Sequence, residues 1–435
     1  MQCTVKTPQT LISNEFYIKK CIVVAGVLYW LYGMMPIVDE LFNVITLVAL
    51  AYIFLFFCKR KQNLQQKLLG IVLVFSAILT ILANEFKTIN IIAVLYALVE
   101  IMLLTYCDFR KSKKELQDEL DDIVNTFIVG GFVIIILSML VYLMGYKIMY
   151  CYPEITTTRF FLGRDESTGA LIGIMSNANI ASNFCVIYLG FLLYSLNRKK
   201  CVLKYVAMIC DVVMLVLTFS RGGYVGAFIL VVFYVGLKLL KDAHRSRNAS
   251  LELLIVMMVS LFAITIIIAS GGVDFSKFTG RTQGEMAGST QQRILLLKAA
   301  VTAVTSNFQI LLFGTGSEIR QGIAMYASKE LSEKLYNNMH NIYAQILMSY
   351  GIIGLIPFLA TIFKYLKGSL RQILFCSRTT NKELIALVAL VIALLVINLV
   401  ESDIYMKKAF EGTVFWLLLG YIYAILSKCE RRSEK

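Results

Sequence analysis

The feature that most constrains this chain is a recurring run of about 18 to 25 apolar residues, the length a helix needs to cross a hydrocarbon core of about 30 Å. Such runs occupy 20–38, 41–58, 68–86, 89–107, 123–146, 178–197, 202–220, 222–240, 251–270, 342–366, 383–401 and 409–427. Lipid offers no partner for an open strand edge, so each run is expected to be a helix. The strict alternation that a membrane barrel needs is absent. Composition agrees: hydrophobic residues make up 58% of the 435 and charged residues 16%, against about 25% charged in soluble domains. The expectation is an all-α polytopic protein, one integral membrane domain over 1–435 with about twelve transmembrane helices. The first run reaches spanning length without a small-residue cleavage site, so it is expected to stay as a first helix.

Basic residues set the orientation. Lys59, Arg60 and Lys61, then Arg110, Lys111, Lys113 and Lys114, then Arg198, Lys199 and Lys200 fall in alternate connections, and the tail carries Lys428, Arg431 and Arg432. The positive-inside rule puts these connections and both termini in the cytoplasm of a plasma-membrane protein. The net charge of +14 follows from this asymmetry. The scattered cations form no nucleic-acid surface, so no nucleic acid is expected as a partner. The ten cysteines give no disulfide framework.

Two long outer loops are candidates for function: a smaller one at 147–177 and a larger one at 271–341. Within the larger, 291–305 fits an amphipathic helix with Ile294, Leu297, Val301 and Val304 on one face. A glycine turn follows at 312–316, and a second polar helix is expected over 322–338. The inner connection 108–122 is expected as a solvated charged helix, with Lys111–Glu115 and Lys114–Asp118 pairs. No internal repeat is evident, although transporters commonly have one.

Candidate site residues gather near the outer boundary. Ser220, Arg221 and Gly222 precede one apolar run, where a forked guanidinium beside small residues suits an anion such as phosphate. Lipid headgroup contact is the plainer reading of Arg221. His340, with Asn341 and Tyr343, opens another run, and His340 is one of only two histidines. A helix start and nearby arginines favour a neutral ring, the form a base needs. The other histidine, His244, lies in a basic inner connection. Arg281, Arg293 and Arg320 are further loop cations, with Arg159 and Arg164 in the smaller loop. Asn177 and Asn179 lead into 178–197 as caps or anion ligands. Glu100 and Asp211 lie inside apolar runs, and Asp39-Glu40 forms an acidic turn. No metal or cofactor motif appears, so neither is expected.

The runs Thr218-Phe219-Ser220-Arg221-Gly222-Gly223, Phe313-Gly314-Thr315-Gly316, His340-Asn341-Ile342-Tyr343 and Tyr350-Gly351-Ile352-Ile353-Gly354-Leu355, in this order, resemble the O-antigen ligase and polymerase superfamily. Asn177-Ala178-Asn179 is similar to that family's Asn-Pro-Asn element, with Ala178 where proline is usual. The resemblance covers about 168–366. It implies a metal-independent, GT-C-like membrane glycosyltransferase that uses an undecaprenyl-diphosphate-linked oligosaccharide donor and a glycan acceptor. It further implies that His340, Arg221 and Arg293 carry the catalysis, and that a flippase and a chain-length regulator of the same pathway are partners beside membrane lipid. Polymerisation of a surface polysaccharide such as a capsule is the expected role. The alternatives are ligation of finished glycan to a lipid or protein, and a secondary transporter or lipid-linked glycan flippase. Convergence of His340, Arg221 and Arg293 favours the enzyme; Glu100 and Asp211 lining a central path would favour the transporter.

Overall fold

A computed structural model describes most of residues 72–84, then 88–145, 147–151, 159–165, 169–175, 177–242, 283–316, 319–324, 326, 338–375, 383–405 and 410–433. Its helices are α1 (Thr88–Leu104), α2 (Lys113–Leu143), α3 (Ala178–Arg198), α4 (Val202–Leu217), α5 (Arg221–Asp242), α6 (Gln283–Ser306), α7 (Phe308–Phe313), α8 (Ile319–Ile323), α9 (Ile342–Phe375), α10 (Leu384–Ile397) and α11 (Phe410–Ser433). Among the described residues, α2, α3, α5 and α9 are long and apolar enough to cross a membrane, and α10 is a shorter apolar helix. The expected runs at 20–38, 41–58 and 251–270 lie outside the described residues, and 68–86 lies there in part.

α10 is the centre. Its sequence, LIALVALVIALLVI, is apolar all round, so it can satisfy neither water nor a single packed face and must be enclosed. It is buried almost throughout, and α3, α5, α9 and α11 pack around it. α2 covers α3 on the far side through Phe127, whose ring meets Phe184, Tyr188 and Phe191.

The connection before 123–146 differs from expectation. Residues 113–122 are the first turns of α2 itself, opened by a Ser112–Glu115 capping box. Leu116, Glu119 and Leu120 are buried there rather than solvated. Lys111 precedes the helix and pairs with Glu119, while Glu115 caps the Ser112 N–H. At the same end Arg198 pairs with Asp121, Tyr194 donates to Asp121 at 2.6 Å, and Gln117 donates to Glu383 at 2.9 Å. This charged clasp ties α2, α3 and the start of α10 together.

Among its described residues the smaller loop is not helical. It folds as an antiparallel sheet, β1 (Lys147–Cys151), β2 (Arg159–Arg164) and β3 (Leu171–Gly173), in that order, with a bulge at Gly163/Arg164. Strands of five, six and three residues are too short to show a clear alternating pattern beside spanning runs. The sheet rests on α2, where the Ile174 N–H donates to Ser138 Oγ at 3.3 Å.

The larger loop contains α6, α7 and α8. α6 forms over the expected segment and extends further toward the N-terminus. Its apolar stripe is mostly outward: Ile294, Leu297 and Val301 are exposed, and Val304 alone of the four is buried. The packed face is Leu296, Ala299, Ala300 and Ala303, which meets Ile319 and Ile323 of α8 and Ala344 and Met348 of α9. Small side chains let the helix approach closely there. α8, Ile319–Ile323, reaches only the first residues of the expected polar helix at 322–338; residues 325 and 327–337 lie outside the described residues.

Candidate functional site

Three sequence-selected residues hold helix starts. Asn177 Oδ1 accepts the Ile180 N–H at 2.9 Å and begins α3. Ser220 Oγ accepts the Gly223 N–H at 3.4 Å at the start of α5. Asn341 Oδ1 accepts the Ala344 N–H at 3.0 Å at the start of α9. Asparagine and serine are preferred for this task because a short side-chain acceptor reaches an orphan N–H of the first turn. The starts of α3, α5 and α9 therefore lie at one end of the bundle with the start of α11, and their dipoles make that end favourable to anions.

The caps are locked to each other. Ser220 Oγ donates to Asn179 Oδ1 at 3.1 Å and lies 2.9 Å from Ser182 Oγ. A Cβ on Gly223 would fall 2.4 Å from the Ser182 Cβ, so only glycine permits this approach of α5 to α3. Gly222 is different: a Cβ there would meet Val400 at 3.8 Å, an ordinary contact. An alanine would fit there.

Between α10 and α11 the chain turns through Asn398–Tyr405. Asn398 Oδ1 accepts the Asp403 N–H at 2.8 Å, and its carbonyl accepts the Ile342 N–H at 2.9 Å. Asn341 Nδ2 donates to the Leu399 carbonyl at 3.0 Å, and Ser402 Oγ donates to Asn338 Oδ1 at 2.6 Å. That same Asn338 oxygen accepts the His340 N–H at 2.8 Å. His340 is thus held with φ 49°, in a left-handed conformation that non-glycine residues rarely adopt. Among the described residues, Phe219 (φ 50°), next to Ser220, is the other such position. Backbone strain of this kind clusters at functional sites.

This turn carries a residue that the sequence reading did not select. Glu401 is almost fully buried. Its Oε1 accepts from Asn179 Nδ2 at 3.1 Å and lies 3.8 Å from Arg293. Its Oε2 lies 3.8 Å from His340 Nδ1. One carboxylate therefore faces residues from α3, from α6 and from the start of α9, which are far apart in sequence. An acid at the end of an apolar run was the available signal, in Glu401-Ser402-Asp403, but it was read as the edge of a membrane block.

The remaining candidates are distributed as follows. Arg221 is half-buried at the start of α5, beside Ser220. Tyr343 turns its hydroxyl to the Leu395 carbonyl at 3.1 Å and its ring edge to Phe358, joining α9 to α10. Arg320 lies on α8, its side chain outside the described residues; Arg281, Ser176, His244 and Asp39-Glu40 are likewise outside them. Glu100 is buried on α1 near Tyr405, and Asp211 is buried on α4 against Cys185.

The glycine turn after α7 anchors the larger loop. At Gly351 α9 breaks, with φ 62°. The carbonyls freed by the break, Met348 and Ser349, accept the Thr315 and Gly316 N–H groups at 2.7 and 3.0 Å. Gly314, φ 71°, closes on the same segment: a Cβ on it would fall 2.3 Å from Ser349, and one on Gly351 would fall 2.2 Å from Leu312. Two left-handed glycines face each other because neither position has space for a side chain. The turn fixes the end of the α6–α7 arm, and with it Arg293.

Residues 206–359, from α4 to the middle of α9, match the sequence model of a family described as O-Antigen ligase. Members of that family are glycosyltransferase-like enzymes acting on lipid-linked glycan donors and acceptors. No curated protein matches the chain.

Proposed function

We propose, from the place of residues 206–359 in the O-antigen ligase superfamily, that this chain polymerises undecaprenyl-diphosphate-linked repeat units into a surface polysaccharide on the outer face of the plasma membrane. The hydroxyl of the acceptor sugar attacks the anomeric carbon of the donor. A carbon–oxygen bond forms, the bond to the lipid diphosphate breaks, and the hydroxyl proton passes to His340. The departing diphosphate takes the electron pair, and Arg221 and Arg293 balance its charge, as fixed cations do where charge develops in a transition state. Glu401 is a positioning residue: it aligns Arg293, Asn179 and the His340 ring.

The observation that carries this reading is the meeting of Asn179, Arg293 and His340 at the Glu401 carboxylate, at the end where α3, α5 and α9 begin. A built acid–imidazole–guanidinium cluster suits group transfer more than transport. Ligation to a separate acceptor uses the same donor chemistry, and the description of the matched family favours it as the second reading.

Purified protein in vesicles, given undecaprenyl-diphosphate-linked repeat units as its sole sugar substrate, should yield a ladder of multiples and free lipid diphosphate. Consumption of donor only when a distinct lipid or protein acceptor is added would make it a ligase. No transfer under either condition, with the donor bound, would remove the enzyme reading.

A further inference from the structure

The outward apolar stripe of α6 calls for an occupant. α6 presents three surfaces. Leu296, Ala299, Ala300 and Ala303 face the protein. At about 100° per residue, Leu297, Val301 and Ile294 form a second strip, and Lys298, Thr302 and Ser306, with Leu295 among them, a third and more polar one beside it. Both of these strips are exposed. A helix in water turns its large apolar residues inward, yet here alanines face the protein and branched aliphatic residues face out.

Two contacts set the level of this arm relative to the spanning helices. The inner face of α6 packs on Ala344 and Met348, and Met348 is six residues, roughly 9 Å, along the spanning helix α9 from its start. At the far end of the arm, Gln309 of α7 donates to the Ala83 carbonyl at 3.3 Å, near the end of the apolar run 68–86. Leu82 and Phe308 beside this junction are both strongly exposed. The end of the arm thus brings exposed apolar side chains next to those of the run 68–86.

We propose that α6 is an interfacial helix whose Ile294–Leu297–Val301 strip is buried among the acyl chains of the bilayer leaflet on the side of the site. Lys298 lies along its edge, where a long stem can reach the headgroups. Amphipathic helices lie in this plane with their apolar face in the headgroup and acyl boundary. α6 also carries Arg293, so lipid contact on one face of the helix holds that guanidinium at headgroup depth on another. The inference requires only that the chain is membrane-embedded; it stands or falls separately from the transfer reaction.

Single cysteines at Ile294, Leu297, Val301, Thr302 and Ser306, in a background without the native ten, would carry nitroxide labels in vesicles of phosphatidylethanolamine and phosphatidylglycerol. Power saturation should give labels at 294, 297 and 301 greater access to oxygen than to a water-soluble nickel chelate, with the order reversed at 302 and 306. Greater nickel access on the apolar strip would put it in water and overturn the proposal. Exclusion of both reagents would mean that another protein segment covers it, which overturns the proposal equally. Should the cysteine-free protein fail to fold, Leu297→Trp and Ser306→Trp in the native background provide the same comparison. Lipids brominated along the acyl chain should quench most of the added emission at 297 and little at 306. Equal quenching at the two positions would sink the lipid contact.

Discussion

Glu401 touches or faces three side chains that the proposed chemistry uses, yet it does not touch substrate in this reading. Neutralising it should act through its neighbours. Glu401→Gln keeps an acceptor for Asn179 but removes the charge facing Arg293 and His340. Turnover should fall by about 10²-fold or more, as when the acid that orients a catalytic histidine is neutralised. Donor KM and the thermal midpoint should change little, and the pH profile of kcat should be altered. Unchanged kcat and pH profile would reduce Glu401 to a scaffold residue. His340→Gln tests its neighbour: loss of a base costs about 10²–10⁴ in rate, while near-normal turnover would leave hydrogen bonding to the acceptor as the role of His340. The paired glycines separate as well. Gly223→Ala drives a methyl group into Ser182 and should destabilise the fold by about 1–3 kcal/mol, the usual cost of overpacking. Gly222→Ala should fold normally, which thermal unfolding in detergent would check.

At the scale of elements, the break in α9 joins the membrane bundle to the larger loop. Gly351→Ala places a Cβ against the Leu312 carbonyl and forces a left-handed alanine. At φ 62° and ψ −164°, a region nearly confined to glycine, the conformation alone costs about 1–3 kcal/mol, and the clash adds to it. Gly368→Ala, in the same helix, meets only Tyr423 at 3.8 Å and should gain up to about 1 kcal/mol of helix propensity. Opposite shifts of the two thermal midpoints are expected; parallel shifts would mean that the lock contributes no more than any helical glycine. The sequence disclosed both glycine motifs but not that they meet. The bonded residues lie 33 apart in the chain, and the hydrogen bonds between them arise only because α9 is broken. The sheet in the smaller loop was hidden for a related reason: its order comes from pairing between strands and from Ser138 of α2, not from any strand alone.

Across the whole molecule the two ends differ. One gathers Arg198, Asp121, Lys111, Glu119 and Glu383; the other gathers the helix starts and Glu401. The first end, which also carries Lys113, Lys114, Lys199 and Lys200, should be cytoplasmic by the positive-inside rule. Lys200→Cys and Ser306→Cys, each in a cysteine-free background, should respond oppositely to an impermeant thiol reagent on intact cells, with only position 306 labelled. Labelling of position 200 alone would invert the protein. Activity should also survive strong chelation, because arginines supply the charge in the proposed mechanism. Loss with EDTA and recovery with magnesium or manganese would contradict it.

Local chemistry was enough to locate the apolar helices among the described residues, the cap at Asn177 and the glycine turn, because each depends on residues within a few positions of one another. The resemblance carried by those short motifs is supported by the family match over 206–359. What the tertiary structure decided is which surfaces meet. Glu401 became central because the turn after α10 is pinned to Asn338, Asn341 and Ile342, bringing its carboxylate to α3 and α6. The apolar stripe of α6 is visible in its sequence, but periodicity measures only the angle between side chains. Whether the stripe faces protein or lipid depends on the opposite face, and there the alanines pack against α9.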